Sequence, residues 1–149
     1  MEALKSKTPF QPSVIASQDK EDNVEKQIVS TTQAPAAIGP YVQAIVAGNT
    51  LYSSGQLGLV PEDGSLPEGI EAQARQSLAN IDAILQSAGF SKADVVKTVV
   101  FLTDLSKFGV VNEIYAEYFG DSKPARSCVE VSRLPKDALV EIECIAYRA

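Results

Sequence analysis

Val95-Val96-Lys97-Thr98-Val99-Val100-Phe101-Leu102-Thr103 is the stretch whose reading decides the architecture. Valine and threonine dominate it, and β-branched side chains fit a pleated backbone better than a helix. Lys97 is the only charged residue in the run, which predicts a strand buried on both faces. On its N-terminal side Ile70, Ala74, Leu78, Ile81, Leu85 and Ala88 recur at spacings of 4, 4, 3, 4 and 3. That is one apolar stripe on a helix. Glu68 and Glu71 suit the positive end of its dipole, and Gly89 suits its C-terminal stop. On the other side Phe108, Val111, Tyr115 and Tyr118 mark a second helix from about Ser106 to Phe119, ended by Gly120. The centre of the chain is therefore helix, strand, helix.

Working outward, Tyr41 to Ala47 and Leu51 to Ser54 read as two strands joined by the hairpin signal Gly48-Asn49. Pro61-Glu62-Asp63-Gly64 reads as a turn. Ser127 to Val131 and Leu139 to Tyr147 read as the last two strands, linked through Leu134-Pro135-Lys136-Asp137. The order β-β-α-β-α-β-β predicts an α+β domain whose two helices cover one face of a sheet. The other face needs a cover, and self-association is the simplest one. Residues 1–28 are polar, mixed and aperiodic, and are expected to form a disordered tail ahead of a single domain at 29–149.

Composition narrows the chemistry. The chain has 149 residues, two cysteines and no histidine. Without histidine, Ser-His-Asp and Cys-His nucleophiles, HExxH zinc sites and imidazole bases all drop out. Cys128 and Cys144 lack CxxC spacing and read as free thiols of a reducing compartment. The net charge of −6 argues against nucleic acid or an anionic membrane as partner. No apolar run is long enough to span a bilayer, and the N-terminus has no secretory h-region. The expected location is the cytoplasm.

The remaining candidates are few. Strand alternation places Arg126, Cys128 and Glu130 on one face, and Glu141, Glu143, Ile145 and Tyr147 on one face of the final strand. Arginine and carboxylates on successive strands can meet across a ladder, either as a functional pair or as a structural ion pair. Tyr41 follows Gly39-Pro40, which fixes its backbone, and spacing alone favours a core or interface tyrosine over a functional one. Asn112 lies among apolar neighbours on the second helix. Ser53-Ser54-Gly55 ends a strand and reads equally as a turn or bulge.

Several of these residues sit in longer motifs. Ala34-Pro35-Ala36-Ala37-Ile38-Gly39-Pro40-Tyr41 resembles the opening of the Rid family, also called YjgF or L-PSP proteins. Ser54-Gly55-Gln56, Val96 to Leu102, and Val111-Asn112-Glu113-Ile114-Tyr115 continue the resemblance in order. Pro124-Ala125-Arg126-Ser127-Cys128-Val129-Glu130-Val131 is its most specific stretch, and Leu134-Pro135-Lys136 and Val140 to Ala146 complete it. The match spans about residues 29–147 and is most similar to the RidA subgroup, the 2-iminobutanoate/2-iminopropanoate deaminases.

The resemblance implies a chorismate-mutase-like fold, a homotrimer packed around a central barrel, and clefts between subunits. It implies that Arg126 grips a substrate carboxylate and that Glu141 holds the attacking water. Cys128 would contribute mainly backbone hydrogen bonds, together with Gly55, and would not act as a nucleophile. Tyr41, Ser54 and Asn112 would shape the pocket. No cofactor or metal is implied. The expected reaction is hydrolysis of 2-imino acids to 2-keto acids and ammonia, which would protect pyridoxal-phosphate enzymes from their own released imines. The competing expectations are an endoribonuclease or translation inhibitor, and a non-enzymatic trimer that binds small ligands or acts as a chaperone.

Overall fold

The computed structural model describes residues 25–149, so the expected tail at 1–28 lies almost wholly outside the described residues. Its last part does not behave as tail, because Lys26–Val29 forms strand β1. The chain continues through β2 (Ala44–Ala47), β3 (Thr50–Ser53), β4 (Gln56–Leu57), α1 (Ile70–Ser87), β5 (Val95–Leu102), α2 (Phe108–Phe119), β6 (Ala125–Glu130) and β7 (Val140–Tyr147). The α+β class and the two helices on one sheet stand as expected; β1 and β4 are additions. Both are short, four and two residues, and neither has enough alternation to declare itself in sequence.

The strands make one sheet in the order β1-β2-β3-β7-β5-β6, with β4 also pairing β7. Every pairing is antiparallel except β5 with β6, which run parallel around α2. Two-residue Gly48-Asn49 closes the β2–β3 hairpin, and Gly48 has φ 60°, the backbone region that such a tight turn needs.

One face of the sheet carries the core. Thr98, Val100 and Leu102 of β5 and Val140, Ile142 and Cys144 of β7 are buried there against α1 and α2. Ala74, Leu78, Ile81 and Leu85 of the predicted stripe, with Ile84, are the buried apolar residues facing them from α1. Each such Leu or Ile contributes about 1.5–3 kcal/mol relative to exposure. The α1 stop is set at Gly89, φ 81°, where the amide of Gly89 donates to Gln86 O and that of Phe90 to Leu85 O. Only glycine adopts that conformation freely, and the two bonds satisfy the last carbonyls.

The second face departs from expectation. Val96 is 48% exposed, and Lys97, Val99 and Phe101 are only half-buried, so β5 is buried on one face within the chain. Among the described residues nothing of the chain lies over the other face. Ile28, Tyr52 and Val129, at 67%, 49% and 42% exposure, continue the apolar surface across it. Among the described residues no helix is long and apolar enough to cross a membrane.

Candidate functional site

Strand register places the candidate residues. Arg126 lies opposite Thr98, which lies opposite Cys144; Cys128 lies level with Val100 and Ile142. Laterally paired residues share a face. Arg126, Cys128 and Glu130 therefore point to the helix side of edge strand β6. Glu141 is level with Phe101 and Val129, and Glu143 with Val99 and Ser127, which puts both carboxylates on the open face. Arg126 and Glu141 do not meet across the ladder. Strand β5 separates their strands, a three-residue offset separates their positions, and the sheet itself lies between their side chains. Their backbones are about 10 Å apart in each of the two in-plane directions.

Each residue anchors its own cluster. Around Arg126, the guanidinium donates through Nη1 to Asn112 Oδ1 at 2.9 Å. Its carbon stands 4.7 Å from the Tyr115 ring centroid and 5.3 Å from that of Phe108. Phe108, Asn112 and Tyr115 fall at helical spacings of four and three, so α2 presents all three to one cation. Such stacking contributes about 0.5–1 kcal/mol at an exposed site and holds the planar group in one plane. Tyr115 is fixed in turn by a 2.7 Å hydroxyl bond with buried Thr98. Glu130, on the same strand face, does not join this cluster: its Oε1 accepts from the Leu105 amide at 3.0 Å.

The other cluster surrounds Glu141. A cavity of about 540 Å³ is lined by Tyr41, Ser54, Gly55, Lys136 and Glu141, with apolar walls that include Ile38 and Leu59. Burial pushes the Glu141 carboxyl above the usual carboxylate range, and the charge of Glu143 adds to the shift. Gly55 packs directly on that carboxyl: a Cβ there would stand 2.7 Å from Cδ and 2.8 Å from Oε1 of Glu141. Gly55→Ala is expected to cost about 1–3 kcal/mol of stability by overpacking, or to swing the carboxylate out of the cavity. Denaturant melts and a carboxyl titration by NMR distinguish the two.

The loop carrying Tyr41 is held by Gln43, which sequence reading passed over as part of a strand. The strand begins only at Ala44. Gln43 is buried and uses its amide fully: Oε1 accepts from Thr31 N at 2.7 Å, while Nε2 donates to Pro35 O at 2.8 Å and Thr31 O at 3.0 Å. Ser54 Oγ donates to Val42 O at 2.6 Å, so its hydroxyl braces the same loop while its body lines the cavity. Phe108 and Tyr115 were legible only as an apolar stripe, and Lys136 only as part of a linker. The signal that could have found the first two is their spacing around Asn112.

Cys128 is half-buried, and its thiol is pushed up by burial, with Arg126 opposing. Buried Cys144 is pushed up to about 11, mainly by desolvation. Neither is a ready thiolate at neutral pH. Among the described residues strand β6 pairs only with β5, which leaves its outer backbone edge beside Cys128 open to another group.

The family model described as Endoribonuclease L-PSP matches residues 31–148. The RutC family protein PH0854 of Pyrococcus horikoshii is 56% identical over 124 residues, covering 83% of this chain and 98% of its own. The 2-iminobutanoate/2-iminopropanoate deaminase of Escherichia coli K12 is 51% identical over 123 residues, covering 80% and 96%. The crystal structure of E. coli TdcF with bound serine superposes with a TM-score of 0.80 at 46% identity, covering 83% of this chain and 99% of that one.

Proposed function

The chain belongs to the Endoribonuclease L-PSP (YjgF/Rid) family, and from that premise we propose that it is a deaminase of the RidA kind. Its substrates are reactive 2-imino acids such as 2-iminobutanoate and 2-iminopropanoate, and its products are the 2-keto acids and ammonia. The observation that carries this reading is the desolvated Glu141 carboxyl at the wall of an apolar cavity, with an exposed arginine fork, held by Asn112, presented elsewhere on the same chain. The names of the deaminase relative and of the serine-bound TdcF structure favour a small amino-acid-shaped ligand.

Arg126 and Glu141 lie on opposite faces of one sheet, so a site using both draws them from different subunits. The half-exposed apolar face gives those subunits a surface to share. We assign the assembly as a homotrimer with clefts between neighbours, located in the cytoplasm. One subunit supplies Arg126, Asn112 and the β6 backbone at Cys128; its neighbour supplies Glu141, Gly55, Ser54 and Tyr41.

The chemistry suits those groups. The planar guanidinium meets both oxygens of the substrate carboxylate. Backbone groups at Cys128 and Gly55 fix the imine nitrogen. Glu141 takes a proton from water as its oxygen attacks C2 and returns that proton to the nitrogen; the regenerated carboxylate then takes the hydroxyl proton as the carbonyl forms and ammonia leaves. A protonated imine is already electrophilic, so orienting acid and water is the main task. Removing such imines protects the pyridoxal-phosphate enzymes that release them.

An RNA-cleaving reading has little to stand on here: among the described residues Lys136 is the one cation in the cavity wall, and the chain carries a net charge of −6.

The test is a coupled assay in which a dehydratase generates the imine and semicarbazide competes for it. The protein is expected to divert imine to keto acid. Arg126→Ala and Glu141→Gln chains, each inactive alone, are then unfolded and reassembled together. Shared clefts predict recovery of about a quarter of wild-type activity, because half the cleft faces of each kind are intact. No diversion by the wild-type trimer overturns the reaction, and no recovery on mixing overturns the shared cleft.

A further inference from the structure

Helix α1 carries a second stripe beside its apolar one, and that stripe is polar. Gln73, Ser77 and Asn80 follow at spacings of four and three, and their exposures are 4%, 0% and 0%. Buried polar groups are retained where they meet partners, and leaving one unpaired is costly. All but one of the partners here are backbone groups of one wall of the Glu141 cavity and its supports. Ser77 Oγ donates to Gln56 O at 2.7 Å. Asn80 Nδ2 donates to Leu57 O at 3.0 Å and to Leu59 O at 2.9 Å, while its Oδ1 accepts from Gln76 Nε2 at 2.9 Å. Gln73 donates to Pro67 O at 3.0 Å and accepts from the Leu139 amide at 2.8 Å.

These bonds converge on the glutamate. Gln56 and Leu57 are β4, and Leu57 is the ladder partner of Glu141. Leu139 lies just ahead of β7, two residues before Glu141. Gly58 lets the two backbones touch, since a Cβ there would stand 2.3 Å from Gln73 O. Gly55, directly before β4, is the surface on which the carboxyl rests. The stripe thus holds both the strand beside Glu141 and the entry to its own strand, from the opposite side of the sheet.

We propose that the buried polar stripe of α1 is the clamp that sets the position of Glu141, with Asn80 as its central positioning residue. This rests on the role given to Glu141 above. A continuous apolar stripe would bury α1 as well, but it would leave the backbone of β4 free to shift or take up water. Burial and the charge of Glu143 on its own strand raise Glu141; Lys136 and Tyr41 are the other titratable groups lining its cavity, and its lateral neighbours Leu57 and Phe101 carry no charge.

The experiment compares Asn80→Ala, the milder Ser77→Ala, and Ile84→Val, which alters a buried α1 residue without a polar role. Three quantities are read: melting temperature, kcat and KM for imine hydrolysis, and the NMR titration of the Glu141 carboxyl. A displacement of 1 Å can cost on the order of 10²-fold in rate, so kcat of Asn80→Ala is expected to fall at least about tenfold with KM nearly unchanged. Its Glu141 midpoint moves down toward the ordinary glutamate value as water enters. Ser77→Ala shows the same direction to a smaller degree, which keeps the test alive if Asn80→Ala does not fold. Ile84→Val lowers the melting temperature and leaves both other readouts in place. An unchanged kcat and an unchanged midpoint in both polar variants overturn the clamp. Should the wild-type chain hydrolyse no imino acid, the proposed reaction fails by itself, and the midpoint alone decides the clamp.

Discussion

The Arg126→Ala protein is expected to lose about 10²–10⁴-fold in kcat/KM for imino-acid hydrolysis while keeping its fold and its assembly. Hydrogen bonds to charged groups contribute about 1.5–3 kcal/mol each, and a guanidinium makes two to a carboxylate. At 1.4 kcal/mol per tenfold, the loss falls in that range. The fold survives because Arg126 lies exposed on the edge strand, held by one bond to Asn112 and by stacking on Tyr115 and Phe108. Arg126→Lys is the sharper control. It keeps the charge but loses the planar fork and much of the stacking, so it recovers only a small part of the loss. Steady-state kinetics beside thermal melts read both variants. Wild-type-like turnover by Arg126→Ala removes the residue from the reaction.

Glu141→Gln is expected to lower kcat by about 10²–10⁴-fold, the range for a positioned acid–base group, with ligand binding retained. Calorimetric titration with a stable keto acid separates this enzyme from a pure binding protein, which would show no kinetic loss. The carboxyl also fixes the pH dependence. Its pKa is raised by desolvation and by Glu143. The base form is therefore lost on acidification at a pH above the ordinary glutamate value of about 4.3, and the acid limb of kcat/KM is displaced upward. Stability runs the other way. A carboxyl that holds its proton more tightly folded than unfolded favours the fold below the unfolded pKa, and that advantage disappears as pH rises through the folded value. At pH 8 the Gln variant is thus expected to melt no lower than wild type, whereas at pH 4 any such gain is absent. A site residue that weakens its own fold is a familiar compromise at functional sites, and the role proposed for Glu141 would make it one.

Much of this molecule was legible in its sequence, for identifiable reasons. The α1 stripe, the Gly89 stop and the β5 run are local signals with a fixed period, and each stands within a few residues of its expected place. Strand alternation also sorted Arg126 from Ser127 and Glu141 from Ile142 correctly. It could not say how the faces of two strands relate, because that depends on pairing. Strand β5 lies between β6 and β7, and the register puts Arg126 on the helix side and Glu141 on the open side. The polar roles of Gln43, Gln73 and Asn80 were equally hidden. Their partners are backbone carbonyls and amides, which have no letter in a sequence.

The placement of Arg126 and Glu141 on opposite sides of the sheet has a consequence for inheritance. In a ring of shared clefts, an allele that loses only the guanidinium silences one cleft for each defective copy it contributes. An allele that loses both groups silences two, since every copy faces two neighbours. Single lesions would then behave as additive and recessive, and paired lesions in one gene copy as partly dominant. Two alleles that each lack a different group would complement one another in the same cell.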